Sequence, residues 1–285
     1  MKNVLVTGAT GFIGNYVIAE LQKQGCTIVA TSSNEINAKE KSWYSKVKYI
    51  PFDLKAFDDT VNYQTYFQEP EAVIHLAWEG LPNYKATFHT TENLPRHLAF
   101  IKNLVNHGQK DITITGTCFE YGMQEGCLNE QMETKPANPY AIAKDTLRKQ
   151  LEILQDKIDF QLKWVRLFYM YGAGQNPNSL LSQLDRALAN NEAVFNMSGG
   201  EQVRDFLPVE DVARYIVAVA LQQKVTGIIN CCSGRGEQVK KIVQEYLKKK
   251  NKDISLNLGF YPYADYEPMS FWGDNTKLKS IVAND

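Results

Sequence analysis

Three glycines spaced three apart, Gly8, Gly11 and Gly14 in TGATGFIG, lie between the apolar run VLVT and an apolar-periodic stretch that reads as a helix over 12–24. No other segment constrains the fold as much, because a strand turning tightly into a helix is the first unit of a parallel βαβ sheet. TIVAT, VKYIPF, AVIHLA, ITIT and FQLKWVRLF read as further strands. Helices are predicted over 57–67, over 87–107 with Pro95 bending it, and over 139–156. The pattern is that of an α/β chain with a doubly wound parallel sheet. From YGAGQNPNS onward the pieces shorten: SLLSQLDRALAN as a helix, AVFNM as a strand, VEDVARYIVAVALQ as a helix, GIINCC as a strand, then a helix to about 250. We therefore expect a sheet domain over 1–173 and, over 174–285, mainly a smaller lobe above the carboxyl edge of the sheet, with about 206–232 returning to the first domain.

Composition narrows the partners. The chain has 285 residues and a net charge of −1, with Lys and Arg scattered singly. Neither a nucleic acid nor a membrane surface is implied. Five cysteines, an odd number without C-x-x-C spacing, argue against a disulfide framework or a zinc site and fit a reducing cytoplasm. No apolar run approaches ~18 residues, and MKNVLVTGAT enters a strand directly, so a soluble, unprocessed cytoplasmic protein is expected. His89, His97 and His107 have no metal-ligand spacing, and no metal is expected. His75 reads as a packed strand-end residue, and Cys231-Cys232 as core.

A glycine turn that opens a helix can approach a pyrophosphate closely and present backbone amides to it. Gly8, Thr10, Gly11, Phe12 and Ile13 are therefore candidate dinucleotide contacts in a Rossmann-type domain. An NAD-specific site usually offers a carboxylate after its second strand, but here the strand ends in Thr31, Ser32, Ser33 and Asn34. Hydroxyls, an amide and Lys39 or Lys41 accept a ribose 2′-phosphate that a carboxylate would repel. NADP(H) is favoured and NAD(H) is the second option. Asp53-Leu54 is placed to touch adenine, although Asp53 equally suits a turn cap, and Leu76, Ala77 and Trp78 run along the middle of the cofactor.

Downstream come Thr117 in GTCFEYG, then Tyr140 and Lys144 in NPYAIAK. Four residues apart on a helix, Tyr140 and Lys144 share a face. A free phenol titrates near pH ~10, and a neighbouring ammonium favours phenolate, so the pair suits general acid/base work beside a hydride transfer.

With TGATGFIG, HLAW, Asn93, GTCFEYG, YAIAK, VRLFYMYG and QVRDFLPVEDVA in hand, the chain resembles the extended short-chain dehydrogenase/reductases, the NAD(P)-dependent sugar epimerase/dehydratase family, over nearly its whole length. The resemblance implies a catalytic Thr117-Tyr140-Lys144 set and cofactor contacts at Asn93 and Phe168. It also implies a nucleotide-diphosphate-sugar substrate with Arg204 on the diphosphate, and Phe195, Asn196 and Met197 at the base. Thr117, Cys118, Phe119, Tyr169, Ser179 and Leu180 complete the expected substrate contacts. Many relatives pair through two long helices, here 87–107 and 139–156, which implies a homodimer.

Departures from the family bear on the reaction. Its 4,6-dehydratases follow the catalytic Thr with Asp-Glu, where this chain has Cys118-Phe119. Cys118 is one residue from the position at which a cysteine relays protons in family epimerase-reductases, and on a strand it would point elsewhere. The usual asparagine of the R-x-F-N segment is Tyr169, and the usual tail arginine is absent from DYEPMSFWGD. Tyr169, Tyr171, Phe271 or Trp272 could form an aromatic wall. GTCFEYG, RLFYMYGAGQ, SLLSQLDRAL and YEPMSFWGDN resemble the bacterial surface-polysaccharide branch, O-antigen enzymes among them, that reduces nucleotide 4-keto-6-deoxyhexoses. The expected activity is NADPH-dependent 4-ketoreduction of such a sugar, with dTDP as the nucleotide, giving a fucose- or talose-type 6-deoxyhexose in deoxysugar biosynthesis. A nucleotide-sugar 4-epimerase with tightly bound NAD is the alternative.

Overall fold

The computed structural model describes residues 2–283. Seven strands form its central sheet: β1 (Asn3–Thr7), β2 (Thr27–Thr31), β3 (Lys48–Tyr49), β4 (Ala72–His75), β5 (Asp111–Thr117), β6 (Gln161–Leu167) and β7 (Gly227–Cys231). Their order is β7-β6-β5-β4-β1-β2-β3, and every neighbouring pair is parallel. Strand order reverses between β1 and β4, so a crevice opens there at the carboxyl ends of the strands. This is a Rossmann-type doubly wound sheet.

Strands covered on both faces carry near-continuous apolar runs, as β1 and β4 do. On one face, helices Phe12–Lys23, Val209–Leu221 and Thr276–Val282 bury Val17, Ile18, Ile216, Val217, Leu278 and Ile281 against the sheet. On the other, Leu94–Asn106 and Pro139–Gln155 bury Phe100, Leu104, Leu147 and Leu151 around Trp164. Two charges in β6 are fully buried. Lys163 pairs with Asp111 at 2.8 Å, and Arg166 pairs with Glu120 at 2.7 Å. A separate hydrophobic core lies off the sheet, where helices Leu180–Ala189 and Val239–Lys249 cover Phe195 and Met197.

Three expected elements differ. The helix over 57–67 shrinks to Tyr63–Tyr66, because Asp58 Oδ1 accepts both the N–H and the hydroxyl of Thr60, and Asn62 Oδ1 caps Thr65. Such local side-chain acceptors compete with helix hydrogen bonds. The helix over 87–107 divides into a π-helical turn, His89–Asn93, and an α-helix from Leu94. Pro95 lies in the first turn of that α-helix, where its missing N–H costs nothing. Of VKYIPF, only Lys48 and Tyr49 join the ladder.

Candidate active site

Gly8 has φ +67° and a Cβ there would stand 2.8 Å from the backbone nitrogen of Ala77; a Cβ on Gly14 would meet Ala9 O at 2.7 Å. The turn is therefore packed directly on β4 and on its own helix. Helix Phe12–Lys23 begins with no side-chain cap and no acid in its first turn. Its first amides and positive dipole end suit a pyrophosphate, so the residues present fit a dinucleotide. Gly14→Ala is expected to push the helix off the turn, lowering Tm and abolishing dinucleotide binding together, as thermal melts with and without cofactor would report.

One part of the crevice, beside the glycine turn and the end of β2, is a cavity of about 220 Å³. Gly8, Thr10, Gly11, Ser32, Ser33, Asp53, Leu54, Leu76, Ala77, Trp78 and Asn93 all line it. Asn34 does not; its side chain caps the short helix Glu35–Lys39 by accepting from Asn37 N–H. Lys39 pairs with Glu35 at 3.1 Å on its own helix and does not line the cavity. Asp53 takes its turn-cap role as well, accepting from Lys55 N–H. Sequence reasoning missed Lys55, Glu79, Arg96 and His97 in this lining. Lys55 pairs with Glu79 and Arg96 with Glu92. His97, set aside from the sequence, lies stacked against Trp78 with ring centroids 4.5 Å apart. His75 is buried, bonded through Nδ1 to Thr7 Oγ1 at 2.8 Å and through Nε2 to His97 Nδ1 at 2.7 Å. Burial pushes His75 down to about 3, so this pair is neutral.

A second cavity, of about 480 Å³, adjoins the first through Gly8, Gly11, Leu76 and Trp78 and also contains Phe12, Ile13, Thr117, Cys118, Phe119, Tyr140, Phe168 and Tyr169. Thr117 ends β5, and its hydroxyl accepts from Phe119 N–H at 3.3 Å, in the same cavity as the Tyr140 phenol. Glu120 holds the Thr117 backbone N–H at 2.9 Å and also accepts from Trp164 and Arg166. Asn138 caps the helix that carries Tyr140. Burial pushes the Tyr140 phenol well up, Tyr84, Glu120 and Cys118 add to this, and the Thr117 side chain opposes it. The expected lowering by Lys144 is absent from that balance. Lys144 instead donates to Thr115 O at 2.9 Å and lies 4.0 Å over the Trp78 ring. Burial pushes Lys144 down to about 7, against the raising effect of Glu120. In this state the site presents a protonated phenol, a proton donor.

Cys118 begins a 3₁₀ turn instead of continuing the strand, which is why it lines the cavity after all. Burial raises its thiol far above the ordinary range, so it is no thiolate relay.

The third cavity, of about 520 Å³, lies toward the lobe and contains Ser179, Leu180 and Arg204 together with Ser198, Gln202, Tyr263 and Glu267. Arg204 is buried and meets neither Asp205 nor Glu210: its Nη2 lies 2.8 Å from Glu267, and its Nη1 donates to Val203 O and Met269 O. Tyr169 OH also donates to Glu267. Phe195 and Met197 are buried in the lobe core, and Asn196 accepts from Asn257, so the strand Val194–Asn196 supplies no side chain to this lining. The reason is its parallel pairing with Ser255–Asn257, which places the alternating apolar side chains inward. Of the expected aromatic wall, Tyr169 and Tyr171 line the cavity. Phe271 lies behind Arg204, 4.5 Å from its guanidinium carbon, and Trp272 packs on Gly236. Tyr84 and Tyr266, which no local motif marks, take their place.

No cluster of three or more potential metal ligands exists among the described residues, and no helix there is long and apolar enough to cross a membrane. The crevice, the glycine turn and the Thr-Tyr-Lys set are those of a dinucleotide-dependent enzyme. The chain belongs to the NAD dependent epimerase/dehydratase family, whose model matches residues 4–232. It is 28% identical over 272 residues, 95% of this chain and 99% of the relative, to a dTDP-6-deoxy-L-talose 4-dehydrogenase (NAD(+)) of Aggregatibacter actinomycetemcomitans. A GDP-6-deoxy-D-talose 4-dehydrogenase of the same organism is 27% identical, covering 99% of this chain and 92% of the relative. Among solved structures, a UDP-N-acetylglucosamine 4-epimerase from Methanobrevibacter ruminantium M1, in complex with UDP-N-acetylmuramic acid, shares the fold with a TM-score of 0.85 at 21% identity, over 98% of this chain and 91% of that one. A UDP-glucuronic acid 4-epimerase from Bacillus cereus, in complex with UDP-glucuronic acid and NAD, gives 0.83 at 21%, over 99% and 93%.

Proposed function

We propose that the protein interconverts a 4-keto and a 4-hydroxy group on a nucleotide-activated 6-deoxyhexose, with dTDP as the nucleotide, and that it works as a 4-ketoreductase with NADPH. The observation that carries this is that Thr117 and Tyr140 line one cavity together with a buried thiol and a phenyl ring at the two positions after Thr117. Elimination of water needs an acid and a base at adjacent carbons, and neither Cys118 nor Phe119 supplies a carboxylate. A bound nicotinamide supplies the hydride for C4 in reduction or accepts it in oxidation. Tyr140 gives its phenolic proton to O4 in reduction and takes it back in oxidation, while the Thr117 hydroxyl bonds the same oxygen. Lys144, placed over the Trp78 ring that lines both cavities, holds the nicotinamide ribose in this reading. Ser32 and Ser33, which follow β2 in a stretch without an acid from Thr31 to Asn34, support the 2′-phosphate of NADP(H). The name of the 28% relative favours a second reading, oxidation with NAD(+). A homodimer is part of the proposal, supported by Ile142 and Ile153, 41% and 59% exposed and three turns apart on Pro139–Gln155.

The test is loss of reduced-nicotinamide absorbance when pure protein meets NADPH or NADH and dTDP-4-keto-6-deoxyglucose, with CDP and GDP analogues alongside. Faster oxidation of NADPH supports the reading, and faster oxidation of NADH moves the cofactor to NAD(H). No oxidation, with NAD carried through purification, replaces it by a 4-epimerase. Arg204 is proposed as the diphosphate anchor. Arg204→Met is expected to weaken dTDP binding roughly 10–100-fold, the worth of a charge-assisted hydrogen bond. It should also cost about 3 kcal/mol of stability by leaving Glu267 buried and unpaired, and adding Glu267→Gln should restore stability but not affinity, as calorimetry and urea unfolding would report.

A further inference from the structure

The cavity at Tyr140 and the cavity at Arg204 meet in a neck lined in two chemistries. Tyr84 and Phe119, ring centroids 5.1 Å apart, line both cavities. Tyr266 backs them, 6.0 Å from Tyr84 and 6.1 Å from Phe119. Gln175 and Asn176 bring amides to the shared lining, and Tyr169 and Met170 complete it. Tyr84 lies 5.5 Å from the Tyr140 ring, and the Phe119 N–H is bonded to the Thr117 hydroxyl, so the aromatic lining begins one side chain from the proposed reacting oxygen.

A pyranose whose C4 oxygen meets Tyr140 has two carbons next to C4. C3 bears a hydroxyl, which an amide satisfies; C5 bears carbon 6, the sugar's one exocyclic carbon. Against a phenyl ring a methyl at that position is matched, whereas a hydroxymethyl loses water without gaining a partner. Resting on the C4 oxidoreductase reading above, we infer that Phe119, supported by Tyr84 and Tyr266, reads carbon 6 and selects a 6-deoxyhexose over its 6-hydroxy counterpart. An apolar pocket rejects an added hydroxyl by at most about 10²-fold, so the expected preference is roughly 10–100-fold in kcat/KM.

The experiment compares sugars that differ only in the hydroxyl on carbon 6: dTDP-fucose with dTDP-galactose, and dTDP-6-deoxytalose with dTDP-talose, oxidised with NADP+ or NAD+. Wild type should prefer the deoxy member of whichever pair it accepts. Phe119→Asn should cut that preference at least fivefold, chiefly by improving the hydroxylated sugar, and Phe119→Leu should keep it. Reduced-cofactor binding, followed by fluorescence, should be unchanged in both variants. Should Phe119→Asn not fold, Tyr266→Asn, in an exposed segment, is expected to shift the ratio the same way. Equal kcat/KM for both members in wild type, or an unchanged ratio in the asparagine variants, overturns the inference alone. Turnover of no sugar in either pair by cofactor-bound protein overturns the C4 reading and this inference with it.

Discussion

Tyr140→Phe is expected to lower kcat by roughly 10²–10⁴-fold, the usual contribution of a positioned proton donor, with cofactor affinity unchanged. The ring is buried, so replacing it by phenyl removes the proton without opening a cavity. Single-turnover oxidation of reduced cofactor separates the two effects. A variant that turns over at the wild-type rate removes Tyr140 from the mechanism, and one that no longer binds cofactor assigns it to the binding surface instead. The direction in which burial moves the phenol adds a pH signature. In the cofactor-free protein Tyr140 stays protonated through neutrality, so the reduction should show no loss of rate from ionisation of this group between pH 6 and 8.

Lys144→Met is expected to stabilise the protein at pH 6 while destroying activity. Lys144 is 2% exposed, and burial pushes it down to about 7, whereas an unfolded lysine titrates near ~10.4. Between those values the unfolded chain holds more protons than the folded one, so stability rises with pH across that window. Below it, the folded protein bears the full cost of a buried ammonium, on the order of a few kcal/mol. Methionine removes that cost but leaves Thr115 O without its donor, a loss of about 1–2 kcal/mol. The first effect wins at pH 6, giving a Tm several degrees higher for the variant. At pH 10 the folded lysine is neutral, only the lost hydrogen bond remains, and the order of the two proteins should reverse. Melting curves of both proteins from pH 6 to pH 10 check this, and parallel curves would show that Lys144 is not the titrating group. The same ammonium lies over Trp78, which lines both of the adjoining cavities.

What the sequence determined by itself is local and periodic. The continuous apolar runs of β1 and β4, the 3.6-residue pattern of Pro139–Gln155 and the glycines before Phe12 each state their own conformation, because strand, helix and tight turn depend on residues a few positions apart. The same holds for the proposed catalytic set, since Thr117 ends one strand and Tyr140 and Lys144 share one helix face. Where local side chains outvoted periodicity, as Asp58 and Asn62 did in cutting a helix to four residues, the signal was present but weaker than the pattern over it.

Tertiary structure alone decided which loops meet. Tyr84 and Tyr266 come together with Phe119 from three separate segments of the chain, and Arg204 finds its carboxylate at Glu267, 63 residues away. Nothing within a few residues of any of them encodes those distances. It also decided the electrostatics. Spacing placed an ammonium on the same helix face as a phenol, but depth of burial and the carbonyl of Thr115 determined where that ammonium points and how far each pKa moves, because desolvation is set by everything packed around a group and not by its neighbours in the chain.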